Sequence, residues 1–347
     1  MPDKEKKTNI HRRDFIKKGL KIAGALSITG LSAGLSGCYE FDETIGGSSV
    51  WTGGGGSSGT TRGYAVGGFN SGGYTVTCEK YSDSAGTWTV TGSLGTARSS
   101  LSSFSLGTDT GFAVGGISTG YVTLASFEKY SDTAGTWSVA GSLGVARSIH
   151  SSFSLGTDSG FAVGGYNAAS GILSGLEKYS DSAGTWTVAA SMGTTRFTHS
   201  SFSLGTDTGF AVGGISIGYT DTCEKYSDLA GTWTVGTSMG TVRGSHSSFS
   251  LGTDTGFAVG GYSTGYVTLA SIEKYSDSAG TWTVATGMGT ARYSHSSFSL
   301  GADSGFAVGG QTGGLSASTE VYNDTTGTWI VSANLSTGRG SHSSFSL

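Results

Sequence analysis

Several things are scarce in this chain. Proline occurs once, at Pro2, and charged residues make up only 13%. A basic excess is missing from most of the length: residues 38–347 carry 12 Lys and Arg against 21 Asp and Glu. That balance excludes a nucleic-acid partner, which calls for a cationic surface. Long apolar runs are missing too. The best one, Leu20 to Leu35, is too short and too rich in Gly and Ser for a membrane span. What is abundant is Gly, with 62 residues, together with Ser and Thr. Such a composition is compatible with disorder, but 36% of the residues are hydrophobic and Trp and Tyr recur at fixed places. Regular aromatics among turn residues predict many short strands joined by tight turns.

The basic residues that do exist are concentrated at the start. Residues 1–37 hold eight Lys and Arg against three acids. A basic start, a short apolar stretch and small residues before a cut form the pattern of an export signal. Arg12-Arg13 followed by Asp14-Phe15-Ile16-Lys17 resembles the bacterial twin-arginine motif, with His11 where Ser or Thr is usual. "LSGC" resembles a lipobox, which would make Cys38 the lipidated first residue of the mature chain. Residues 38–61 then read as a Gly/Ser-rich tether. As a flexible coil, about 24 residues reach ~25–30 Å. The expected organisation is therefore an export signal at 1–37, a lipidated Cys38 with its tether at 38–61, and a folded body at 62–347.

That body repeats. The first Gly of "VGG" falls at 67, 115, 164, 213, 260 and 309, and a Trp at 88, 137, 186, 233, 282 and 329. A period of 47–49 residues fits four short strands per unit. Each unit reads as strand A "HSSFSL", turn "GTDTG", strand B "FAVGG", a variable loop, strand C "EKYSD", turn "SAG", strand D "TWTV", then "GTAR". A lone unit cannot cover both faces of its sheet, whereas a closed ring covers all of them. The double Gly, the Tyr at 81, 130, 179, 226, 275 and 322, the Trp, and the Arg before each strand A resemble the Kelch repeat. The resemblance spans residues 62–347. It implies an all-β, six-bladed propeller with four antiparallel strands per blade. Strand A is displaced relative to the others: the first copy begins at Leu101, and the last, "HSSFSL" at 342–347, has no B after it. Closing the ring places 342–347 beside "GYAVGG" at 63–68 and removes an exposed sheet edge.

Cys78 and Cys223 occupy the same place in "TCEKY", three repeats apart, where other repeats have Phe127, Leu176, Ile272 and Thr319. Opposite sides of a ring exceed the ~7 Å that a disulfide spans. Both thiols are expected free, serving as small buried hydrophobes.

Alternating strands give two faces. One holds the A–B turns with Asp109, Asp158, Asp207, Asp254 and Asp303, and the C–D turns with Asp83, Asp132, Asp181, Asp228, Asp277 and Asp324. These are expected to bond their own turns, since each turn offers one carboxylate and a Ca²⁺ needs six or more oxygens. The other face holds the variable B–C loops, and ligand contacts favour loops on a rigid scaffold. Its candidate ligand-binding residues are Arg98, Arg147, Arg196, Arg243, Arg292 and Arg339, with Tyr121, Tyr166, Tyr219, Tyr266, Phe197, Tyr293 and Asp221. Phe69, Tyr74 and Tyr262 add aromatic area. For the arginines a second reading stays open, pairing with the strand C acids Glu79, Glu128, Glu177, Glu224, Glu273 and Glu320. The repeat histidines, His150, His199, His246, His295 and His342, could suggest a metal. Sheets ~10 Å apart cannot bring them within the ~2 Å of a zinc–nitrogen bond, so they are expected to be structural hydrogen-bonders, with no metal or cofactor.

Catalysis needs unlike groups in one place, and a near-perfect repeat offers copies of one environment. Only Leu101, Asp221, Asn70, Asn167 and Gln311 depart from it, and no catalytic set stands out. The Kelch resemblance implies a fold that also hosts copper oxidases, sugar isomerases and cyclases, but the Tyr, His and Cys set of a copper radical site is missing. The leading expectation is a monomeric binding module on the periplasmic or extracellular side of a bacterial envelope. It would touch the membrane through its lipid alone and hold a protein or glycan partner. The alternatives are an envelope carbohydrate-active enzyme using Asp221, His246 and Arg243, and a structural surface protein.

Overall fold

The computed structural model describes residues 62–347. The export segment with Arg12 and Arg13, Cys38 and the tether lie outside the described residues. Six four-stranded antiparallel sheets, each in the order A-B-C-D, make a six-bladed propeller. Blade 1 is built from Ser343–Ser346, Arg62–Val66, Cys78–Ser82 and Thr87–Val90. Blade 2 comprises Ser102–Leu106, Thr110–Val114, Ser126–Ser131 and Thr136–Ser142; blade 3 comprises Ser151–Leu155, Ser159–Val163, Leu176–Ser180 and Thr185–Ala189. Blade 4 comprises Ser200–Leu204, Thr208–Val212, Cys223–Ser227 and Thr232–Val235; blade 5 comprises Ser247–Leu251, Thr255–Val259, Ile272–Ser276 and Thr281–Ala285. Blade 6 comprises Ser296–Leu300, Ser304–Val308, Thr319–Asn323 and Thr328–Ser332. The ring closes as the displaced strand A requires, with Gly63 opposite Ser346, Tyr64 opposite Phe345 and Val66 opposite Ser343.

The A strands are buried at every residue and touch one another around the axis, whereas the D strands lie at the rim. The joint between blades is a Phe seated on a Gly. Phe104 of blade 2 covers Gly160 in strand B of blade 3, where a Cβ would stand 2.1 Å from the ring. Phe153 covers Gly209, Phe202 covers Gly256 and Phe249 covers Gly305 in the same way. At the closure Phe298 covers Gly63 and Phe345 covers Gly111. The repeat pattern suggests that this Gly closes the A–B turn. It belongs instead to strand B, and the neighbour's ring is the reason no side chain fits there. The same Phe stacks on its own blade, as Phe104 does on Phe112 at 4.7 Å. The double Gly has both properties expected of it. Gly67 and Gly68 have φ of +61° and +100°, and a Cβ on Gly68 would meet the Gly340 carbonyl at 2.8 Å.

A circular chain of backbone hydrogen bonds surrounds the axis. Ser100 N–H donates to the Ser341 carbonyl, Ile149 to Ser100, Thr198 to Ile149, Ser245 to Thr198, Ser294 to Ser245 and Ser341 to Ser294, at 2.8–3.1 Å. All six residues sit in the left-handed region, at φ between +50° and +54°. For Ile149 and Thr198 this is a costly conformation, held because the ring fixes the backbone on both sides.

Cys78 and Cys223 are free and buried, and burial pushes both thiols up to about 12. They are packing residues, as expected. The A–B turn aspartates make the expected side-chain-to-backbone turn bonds, but to the neighbouring C–D turn. Asp109 accepts from Thr133 N–H and Ser131 Oγ, and Asp158 from Ser182 N–H and Ser180 Oγ. Each ties its own turn to the C–D turn of the same blade, because the two turns lie side by side at the strand ends. Five of the six C–D aspartates join blades instead. Lys129 pairs with Asp181, Lys178 with Asp228, Lys225 with Asp277 and Lys274 with Asp324. Asp132 takes Lys80, Arg62 and the Tyr64 hydroxyl.

Candidate functional site

The floor of the loop face is made by the segments that run from strand D of one blade to strand A of the next. Here the six repeat arginines are found, and all six are buried. Arg243 Nη2 donates to Glu273 Oε1 at 2.8 Å, and its Nη1 donates to the Gly260 and Ser271 carbonyls. Glu273 also accepts from the N–H groups of Gly240 and Thr241. The same clamp links Arg98 with Glu128, Arg147 with Glu177, Arg196 with Glu224, Arg292 with Glu320 and Arg339 with Glu79. Of the two readings left open by the sequence, pairing is the one observed. Each guanidinium is desolvated and bonded to the scaffold.

The histidines lie one layer deeper. His150 Nε2 meets Ser102 Oγ at 2.7 Å, and His199, His246, His295 and His342 repeat the contact with Ser151, Ser200, Ser247 and Ser296. Each contact crosses from one blade to the next. The axis is tight enough for neighbouring A strands to touch, and this lets each imidazole reach the serine of the adjacent blade. Burial, with the nearby arginine second, pushes all five imidazoles well below the usual 6.5. Leu101 replaces the sixth histidine, while Ser343 contacts Ser103 Oγ as Ser151 contacts Ser201 and Ser247 contacts Ser297. Arg243 and His246 are thus both engaged in the interior and present nothing to a substrate beside Asp221.

Above this floor the blades differ. The residue after each repeat Arg bridges to the start of the B–C loop: Phe197 with Ile215, Gly244 with Tyr262, Tyr293 with Gln311, Ser148 with Tyr166, Ser99 with Ile117 and Gly340 with Phe69. Blades 1, 2 and 3 fold the loop into a short hairpin, Phe69–Asn70 with Gly73–Tyr74, Ile117–Ser118 with Val122–Thr123, and Tyr166–Asn167 with Gly171–Ile172. Blade 5 uses a single turn, Thr264–Tyr266.

Four tyrosines of blades 4 to 6 come together. The ring of Tyr266 lies edge-on to Tyr219 at 6.3 Å and to Tyr262 at 6.1 Å, and Tyr262 packs on Tyr293 at 3.9 Å. Tyr293 donates its hydroxyl to Gln311 Oε1 at 2.6 Å. Burial pushes the Tyr219 hydroxyl up to about 12, so it remains a donor. Asp221 is two residues further along the same loop and partly exposed. Tyr121 belongs to blade 2, on the other side of the ring from this cluster, and is exposed to 49%. Tyr166 and Phe197 are partly buried on their own bridges and join no ring cluster. The repeat pattern marks Tyr219, Tyr266 and Tyr293 as candidates and places Tyr262 and Gln311 on this face. That these five converge depends on contacts between loops of different blades, which a linear reading does not contain.

The face has little charge. Among the described residues every Lys and Arg is in an ion pair, either in a buried clamp or at the turn face. Among those residues, too, Asp221 is the one acidic side chain carried by a B–C loop.

No curated protein matches the chain. A family model described as the Kelch motif matches residues 161–193, from strand B of blade 3 through its strand D to Gly193. That stretch is one of six units with the same double Gly, Tyr, Trp and Arg, set in a closed ring of six four-stranded sheets, and the chain is a six-bladed β-propeller whose third blade carries a Kelch motif.

Proposed function

We propose that this chain is an exported, lipid-anchored binding module that uses its loop face to hold a macromolecular partner, in the first instance a protein. Kelch propellers commonly mediate protein interactions, which supports a protein partner in general. The observation that carries the reading is where the blades differ. The clamps, the His–Ser bonds and the Phe-on-Gly joints recur around the ring, while the B–C loops vary in length, fold and sequence. Those loops are rich in Ser, Gly, Thr and Tyr, and Tyr, Ser and Gly suit adaptable contact surfaces.

Strand B runs from the turn face to the loop face, and Arg62, the first described residue, begins strand B of blade 1, so the described chain starts at the turn face, opposite the variable loops.

The test has two arms. Wild-type protein crosslinked in its native envelope is expected to capture a defined partner, and Tyr219→Ala with Tyr266→Ala is expected to lose it. Asp83→Ala on the turn face is expected to retain it. Equal capture by all three proteins would overturn the reading. Mass spectrometry of the mature protein is expected to find a lipid on Cys38, absent in Cys38→Ser.

A further inference from the structure

The tyrosine cluster of blades 4 to 6 has features that select among partners. Tyr266 sits at φ +59° and is still 38% exposed. A bulky aromatic is an outlier in the left-handed region, at a cost of roughly 1–2 kcal/mol. The chain uses Gly freely at positive φ elsewhere, including Gly265 immediately before it. The same backbone recurs at Tyr121, φ +62°, in the identical loop sequence of blade 2, so what distinguishes Tyr266 is its ring contacts with Tyr219 and Tyr262. The cluster also mixes flat apolar faces with polar groups: the Tyr219 and Tyr266 phenols and the Gln311 amide beside Tyr293, with Asp221 two residues past Tyr219 on the same loop.

We infer that Tyr219, Tyr262, Tyr266, Tyr293, Gln311 and Asp221 form a subsite for a neutral oligosaccharide. This rests on the reading of the loop face as a binding surface and names one ligand class for it. Pyranose rings offer what the site lacks and accept what it offers. Their C–H faces stack on aromatic rings, and their hydroxyls both donate to Asp221 and accept from the phenols and the amide. An acidic glycan or a phosphorylated ligand calls for cations, and every described Lys and Arg is already paired. A proline-rich strand brings carbonyl acceptors and no N–H from its prolines, so it leaves the Asp221 carboxylate unmatched.

The experiment is a titration of the full chain with neutral linear gluco-, galacto- and N-acetylglucosamine oligosaccharides, a sulfated oligosaccharide and a proline-rich peptide, read by calorimetry. At least one neutral series is expected to bind, with an affinity unchanged between low and high salt. Tyr266→Gly and Tyr293→Ala are expected to weaken it roughly tenfold or more. Tyr121→Gly, in the same "STGYVTLAS" loop sequence on the opposite blade, is expected to leave it unchanged. Tyr266→Gly relieves the strained φ, so its melting temperature is expected at or above wild type, which separates lost contact from lost fold. Failure of every neutral sugar, binding of the peptide or sulfated sugar instead, or full affinity in Tyr266→Gly would overturn the inference. If no sugar binds but Tyr266→Ala with Tyr219→Ala still loses the captured protein, the sugar subsite is wrong and the binding-module reading stands.

Discussion

The two ends of each blade are made by the same four strands and follow opposite rules. At the turn end the chemistry is periodic: an aspartate ties one turn to the next, and a lysine reaches the following blade, in nearly every copy. At the loop end periodic clamps lie beneath, and an aperiodic layer of tyrosines, hairpins and amides lies on top. Charge serves the scaffold at both ends, and the variable surface is left almost free of it. A repeat protein of this kind separates holding together from recognition by depth.

The comparison can be broken most severely at the strand shared by both ends of blade 1. Deleting residues 342–347 removes Phe345, which covers Gly111 and stacks on Tyr64 at 4.7 Å. Truncating one buried Phe alone costs about 3–5 kcal/mol, and the whole inner strand costs more. Calorimetry is expected to find no cooperative transition, and an unchanged melting temperature would contradict the closure.

Acid should separate the two ends by the pH at which each responds. The five buried histidines have folded pKa values below the unfolded 6.5. Their contribution is complete above that value. As pH falls through it, the unfolded chain takes up protons that the folded one refuses, so stability declines. The slope is about 1.4 kcal/mol per pH unit for each histidine. The turn-end carboxylates Asp109, Asp158 and Asp254 are held below 3.8 by hydrogen bonds, led by the Thr133 side chain and by the Ser182 and Ser278 N–H groups. Their contribution is present above 3.8 and is lost only as pH falls through their lower folded values. Urea midpoints measured across this range are expected to fall in two stages. His199→Leu, which copies the residue that blade 2 already has at Leu101, is expected to flatten the upper stage by about one histidine's share.

Two side-chain removals sharpen the contrast at smaller scale. Glu273→Ala strands a buried guanidinium under the loop face and is expected to cost about 3–5 kcal/mol, with Arg243→Met in the same chain recovering part of it. Lys129→Ala at the turn end breaks a pair that is 36% and 27% exposed, and its expected cost is about 1 kcal/mol or less. Chemical denaturation measures both.

Much of this was legible in the sequence. Spacing gave the blade count, the displaced strand A gave the closure, and the company of Arg and Glu in every repeat allowed the clamp. Three features were not legible, each for a physical reason. Gly111 and its equivalents look like turn residues because the aromatic ring that excludes a side chain comes from the neighbouring blade. Asp109 bonds a turn that is adjacent in space and distant in sequence. Ser100, Ile149 and Thr198 give no sign of a left-handed backbone, since only Gly and, more weakly, Asn and Asp advertise one. The tyrosine cluster was half legible: the residues were nameable, but their meeting was not.

The head-to-tail bonds from Ser100 round to Ser341 all run in one rotational sense. Near-identical units are prone to being gained or lost by duplication and slippage, and pairwise contacts alone would tolerate a change in copy number. A loop of six donors and six acceptors has a fixed circumference, so a seventh copy has to spread it and a fifth has to shrink it, with the Phe-on-Gly joints strained in either case. The innermost backbone thereby acts as the gauge that sets how many blades this protein can have.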